Sequence, residues 1–235
     1  SGMAVAPTAW WRFDEIGGTN ILNYVSTNYA GCMAGMAATS RVSGVSGGAL
    51  WFDGMNDMVA VPQSPSIVSE PPFTVSALAW LDENAMSDCP TVVADAFLCS
   101  GGYPGFWLGA MPGTAAQVGN CSGSMWDMLM VQPTGHWHHV AMTYDGTNMC
   151  VYQGTNRSSY GWTGFQPSTQ AVYIGWCSDP SFSYRWKGKI DNVRIYPVAL
   201  GYSQITNLYS DTWSDPDGDG QVNLQEYLNG TNPRN

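Results

Sequence analysis

Twelve residues near the end of the chain carry its most specific chemistry. Asp215, Asp217, Asp219, Asn223 and Glu226 occupy positions 1, 3, 5, 9 and 12 of the run D-P-D-G-D-G-Q-V-N-L-Q-E, with Gly220 at position 6. A hard cation such as Ca2+ takes about six to eight oxygens, and this spacing curls a chain so that alternate side chains converge on one point. Gly220 permits the turn, Gln221 offers its backbone carbonyl, Asn223 binds directly or through water, and Glu226 closes the shell with both oxygens. Four carboxylates so close repel one another when the loop is empty, so calcium should order it. Sensors pair two such loops between helices. A single copy without long helices predicts a structural clip.

The remaining candidate contacts are aromatic. Residues 123–128 hold Trp126, residues 158–165 hold Tyr160 and Trp162, and residues 176–184 hold Trp176, Asp179 and Tyr184. Sugars present apolar C–H faces and polar edges, so tryptophan platforms beside carboxylates and amides suit them. A polysaccharide or other glycan is therefore the expected partner, with a protein-interaction or adhesion role as the alternative. Catalysis is not expected. Retaining glycosidases need two carboxyl groups roughly 5 Å apart, yet Glu15, Glu70, Glu83 and Glu226 are widely separated in sequence. The neighbours Asp14-Glu15 and Asp82-Glu83 would point to opposite faces of an extended strand.

Positioning such residues falls to short strands. Between residues 4 and 200, runs rich in Val, Trp, Tyr, Phe and Met alternate with Gly, Pro, Ser, Thr and Asn, the pattern of an all-β sandwich. Strands are predicted over 9–13, 49–52, 58–61, 73–81, 105–110, 137–144, 149–153, 171–174 and 191–196. A hairpin turn is predicted at Asp145-Gly146-Thr147-Asn148, and short helices over 203–209 and 224–228.

With 18 acidic against 8 basic residues the net charge is -10, which opposes nucleic acid and anionic membrane surfaces as partners. No apolar run is long enough to span a bilayer. Six cysteines without a C-x-x-C pair favour disulfides and a secreted location. Only Cys89 with Cys99 has a spacing that argues for a particular bridge. Residues 1–3 read as an expression scar, 4–210 as the sandwich, and 211–235 as an acidic appendage, joined to further domains of a larger chain.

Two resemblances sharpen these expectations. The stretch 215–233 resembles the aspartate-rich calcium repeats related to thrombospondin type 3. The motifs A-W-W-R-F-D-E (9–15), G-V-S-G-G-A-L-W-F-D-G-M-N-D-M-V-A-V-P (44–62), F-T-V-S-A-L-A-W (73–80), G-H-W-H-H-V-A-M-T-Y-D-G (135–146) and W-K-G-K-I-D-N-V-R-I-Y-P-V-A-L (186–200) resemble, in order, the laminin-G-like, concanavalin A-like lectin family. That resemblance implies a two-sheet antiparallel jelly roll, a carbohydrate-binding role, and core packing for Trp51, Trp80, Trp137 and Trp186. It also implies a second calcium ion at Asp191, with an early ligand near Asn23 where many members carry aspartate.

Overall fold

A computed structural model describes residues 5–45, 47–62, 67–85, 90–96, 102–111, 114–127, 134–178 and 185–212. Numbered in chain order, the strands form two antiparallel sheets of eight. The first runs β14 (Asn156–Gly161), β13 (Asn148–Gln153), β12 (Trp137–Tyr144), β7 (Phe73–Leu81), β16 (Lys187–Tyr196), β5 (Gly48–Asp53) and β4 (Arg41–Ser43), with β1 (Ala9–Trp11) also on β16. The second runs β11 (Gly123–Asp127), β10 (Thr114–Asn120), β9 (Gly105–Met111), β8 (Thr91–Ala94), β15 (Val172–Ile174), β6 (Met58–Val61), β3 (Gly31–Ala34) and β2 (Asn20–Ile21). This is the expected jelly-roll sandwich.

The predicted strands over 58–61, 73–81 and 137–144 form with those bounds. Their alternate residues, among them Val59, Val75, Ala79, Val140 and Met142, fill the core between the sheets. Burying these side chains supplies most of the driving force, at roughly 25 cal/mol per Å2 of apolar surface. The predicted turn also forms, because Asp145 Oδ1 accepts hydrogen bonds from the backbone N–H groups of Thr147 and Asn148, each at 2.7 Å. Strands β10, β11 and β14 are not among the predicted runs. Segments such as T-A-A-Q-V-G-N and N-R-S-S-Y-G lack an apolar alternation, and pairing with a hydrophobic neighbour makes them strands.

Helix α1 (Tyr202–Thr212) is longer than the predicted 203–209. The Gln204 side chain accepts from the N–H of Gly201 at 2.9 Å, half of a capping box, and so starts the helix at Tyr202. Ile205 packs with Ala141, Tyr152, Tyr196 and Leu200 on the outer face of the first sheet. Among the described residues no helix is long and apolar enough to cross a membrane.

Not all of the cysteines are bridged as expected. Cys32 and Cys150 are free, and Cys177 donates its thiol to the Ala96 carbonyl at 3.0 Å, so the six do not form three bridges. Cys89 and Cys99 lie outside the described residues.

Candidate functional site

One row of side chains crosses the first sheet. Trp137 of β12 pairs in register with Trp80 of β7, Trp80 with Lys189 of β16, and Lys189 with Trp51 of β5. Directly opposed residues in a sheet share a face. The strand neighbours of Trp51, Trp80 and Lys189, namely Leu50, Phe52, Ala79, Leu81 and Ile190, belong to the buried core, and Trp137 shares their face through its pairing with Trp80. By the period of two, the row therefore points outward. All four residues are half-buried.

The row is held together by its own contacts. The rings of Trp51 and Trp80 lie 5.9 Å apart at 45°, and Lys189 Nζ sits 5.2 Å from the Trp80 ring. An ammonium over a ring face is a cation–π contact. It also keeps a hydrogen-bond donor between two aromatic walls. Gly188, at φ 142°, allows the close approach beside the row, since a Cβ there would run into the Trp80 carbonyl. Trp51, Trp80 and Trp137, expected to be core residues from the family motifs, thus lie on the outer face. Trp186 is fully buried and does belong to the core.

Of the loop residues expected to bind ligand, those described lie on several elements. Tyr160 lies on the edge strand β14 and is exposed. Trp162 packs against the core, donates its N–H to the Thr147 carbonyl, and through its own carbonyl accepts the Tyr144 hydroxyl at 3.1 Å. Trp126 falls on β11, the edge strand of the other sheet, opposite Gln117. Trp176 is elsewhere, edge-on to Tyr173 at 4.8 Å with the Arg185 guanidinium 4.6 Å over its ring. Asp179 and Tyr184 lie outside the described residues, as do Asp215, Asp217, Asp219, Gln221, Asn223 and Glu226.

Asn23 and Asp191 are both buried, and each is committed to the backbone around it. Asn23 Oδ1 accepts from the N–H groups of Trp10 at 2.9 Å and Val25 at 3.1 Å, while its amide donates to the Asn28 carbonyl at 2.9 Å. Those two bonds use the only side-chain oxygen that Asn23 could offer a cation. Asp191 occupies the irregularity in β16 where its edge partner changes from β5 to β1. Its Oδ2 accepts from Val45 N–H and its Oδ1 from the Asn192 amide, both at 3.0 Å. Burial raises its pKa to about 7, the Val45 bond opposes this, and the nearby Asp14 charge adds to it. Asp14 is itself paired with Arg12 at 2.8 Å. The chemistry of Asp191 fits a buried cation, whereas that of Asn23 does not. Among the described residues no three His, Cys, Asp or Glu side chains are grouped to hold a metal ion.

With the geometry described, the similarities of the chain can be stated. A family model described as Laminin_G_3, concanavalin A-like lectin/glucanases superfamily, matches residues 53–206. No curated protein matches in sequence. Among solved structures, domain 4 of AbnA, a GH43 extracellular arabinanase from Geobacillus stearothermophilus in complex with arabinotriose, superposes with a TM-score of 0.62 at 22% identity, over 88% of this chain and 99% of that one. The binding domain of Paraclostridial Mosquitocidal Protein 1 gives 0.67 at 13% identity, over 89% and 53%. Trypanosoma rangeli sialidase in complex with sialic acid gives 0.63 at 14%, over 89% of this chain but only 33% of the sialidase. At these identities the likeness concerns the fold.

These neighbours correct the functional expectation. Two of them come from carbohydrate-cleaving enzymes and one is a toxin's binding domain. The same fold accompanies catalysis and binding alike, so the assignment of a secreted binding module without catalytic activity does not stand.

Proposed function

The chain belongs to the concanavalin A-like lectin/glucanase superfamily, and from that membership we propose that it engages a glycan across the outer face of its first sheet. The observation that carries this reading is the register of Trp51, Lys189, Trp80 and Trp137, which lays three indole rings and one ammonium in a line on a rigid surface. Indole faces stack on the C–H faces of sugar rings, and Lys189 and the neighbouring polar groups supply hydrogen bonds to their edges. Neighbours of the same fold captured with arabinotriose and with sialic acid support a saccharide as the ligand class. Extracellular residence, where such glycans are met, fits the extracellular arabinanase neighbour.

Calcium belongs to this proposal as a stabiliser. The donor set at residues 215–226 matches the oxygen chemistry of Ca2+ position by position, and those residues would hold the ion beyond the end of α1.

The test is a glycan panel that includes arabinan and sialylated oligosaccharides, read by binding and, in the same mixtures, by release of reducing sugar. Wild type should retain at least one glycan, and Trp80→Ala should weaken it about tenfold or more, as truncation of a central aromatic anchor does. Absence of any bound glycan at millimolar sugar would reject the proposal. Release of reducing sugar would make the chain a glycoside-cleaving enzyme.

A further inference from the structure

Beside Trp137, at one end of the tryptophan row, a cavity of about 470 Å3 opens between β12, the turn joining β13 to β14, and α1. Its walls include Trp137, His138, His139, Gln153, Asn156 and Tyr209. That volume lies within the ~300–1,000 Å3 of small-ligand sites. His139 is buried in this wall.

We propose that this cavity is a saccharide subsite at the end of the tryptophan row, holding one neutral sugar ring between Trp137 and Tyr209. This deepens the reading of the outer face as a glycan surface and rests on it. Three features identify the ligand class. First, the imidazole of His139 in the wall carries no charge. Burial, with Arg194 nearby, lowers the His139 pKa to about 3, which keeps the ring neutral near pH 7. Second, the side chains of the wall combine two aromatic rings with the amides of Gln153 and Asn156, and none of its residues is a carboxylate or a lysine. Apolar faces with amide edges match a polyhydroxylated ring and offer nothing specific to an anion or a cation. Third, Trp137 is both the last member of the row and a wall of the cavity. A chain stacked along the row therefore reaches the cavity without leaving the surface.

The test uses the full chain labelled with 15N at histidine and at the tryptophan indoles, titrated with arabinotriose and with cellotriose. Binding should shift the ring nitrogens of His139 together with the indole of Trp137 and those of Trp80 and Trp51. Thr155→Trp, placed at an exposed turn residue of the cavity rim, should abolish the His139 shift and weaken binding about threefold to tenfold, with the Trp51 and Trp80 shifts persisting at higher sugar. Shifts at Trp51 and Trp80 without one at His139, or a Thr155→Trp variant that binds like wild type, would overturn the subsite and leave the platform intact. No shift at any of these nitrogens with either sugar overturns both.

Discussion

The meaning of a tryptophan in this molecule depends on the parity of its position. Trp80 lies between Ala79 and Leu81, both in the core, so a strand that buries those residues must turn Trp80 outward. Replacing the aromatic rings by aliphatic ones of comparable bulk separates recognition from packing. Trp51→Leu and Trp137→Leu should each leave the melting temperature within a few degrees of wild type and weaken glycan binding roughly tenfold, measured by differential scanning fluorimetry and titration. His139 gives a second prediction. Its folded pKa is held near 3, below the ordinary value of about 6.5. The unfolded chain therefore binds the extra proton first, and stability drops as pH falls from about 6.5 towards 3. His138, Arg194 and Tyr209 surround the ring, and none is a carboxylate that could stabilise the imidazolium. His139→Gln should flatten that part of the melting-temperature profile; an unchanged slope would place the proton uptake elsewhere.

Among the elements, strands with their own apolar alternation were legible in the sequence and strands made by their neighbours were not. β7 and β12 carry the pattern in their own residues. β14, with five polar or small residues around one tyrosine, acquires extended structure only by pairing with β13. The same distinction explains the site. Each tryptophan was visible, and the outward parity of Trp80 could have been read from its core neighbours. The alignment of Trp51, Trp80 and Trp137 could not, because register between strands distant in sequence depends on the whole sandwich. Aromatic content alone does not reveal that Trp162 has a packing and hydrogen-bonding duty of its own. Element geometry also predicts that Gly188→Ala is costly. Its φ of 142° and the carbonyl of Trp80 leave no place for a methyl group. Chemical denaturation should show a loss of about 2 kcal/mol or more, with glycan affinity falling in the folded fraction as β16 shifts against β7.

For the molecule as a whole, calcium is the condition most worth varying. With the donor set at 215–226 beyond α1, saturating calcium should raise the melting temperature and slow proteolysis of residues 211–235, and a chelator should reverse both. Asp217→Ala together with Asp219→Ala should remove the response without altering glycan binding, since the tryptophan row lies on strands of the sandwich. The jelly roll was legible because five motifs occur in family order. What that order did not convey was function, since arabinanase, sialidase and toxin domains share the architecture.

β16 is the hub of the first sheet. It pairs along one side with β7 and on the other with β5 and then β1, so Trp10 near the start of the chain donates its indole N–H to Asn192, 182 residues later. During synthesis, β5 and β7 must wait for nearly the whole domain to emerge before the strand that separates them arrives. Closing so long a loop slows folding. It also means that Lys189 joins the indoles only at the last step, so an incompletely folded chain has the tryptophans but no assembled row. Glycan capture would then report completion of folding, and a ribosome-stalled chain ending before residue 187 should not be retained on a glycan resin that retains the finished domain.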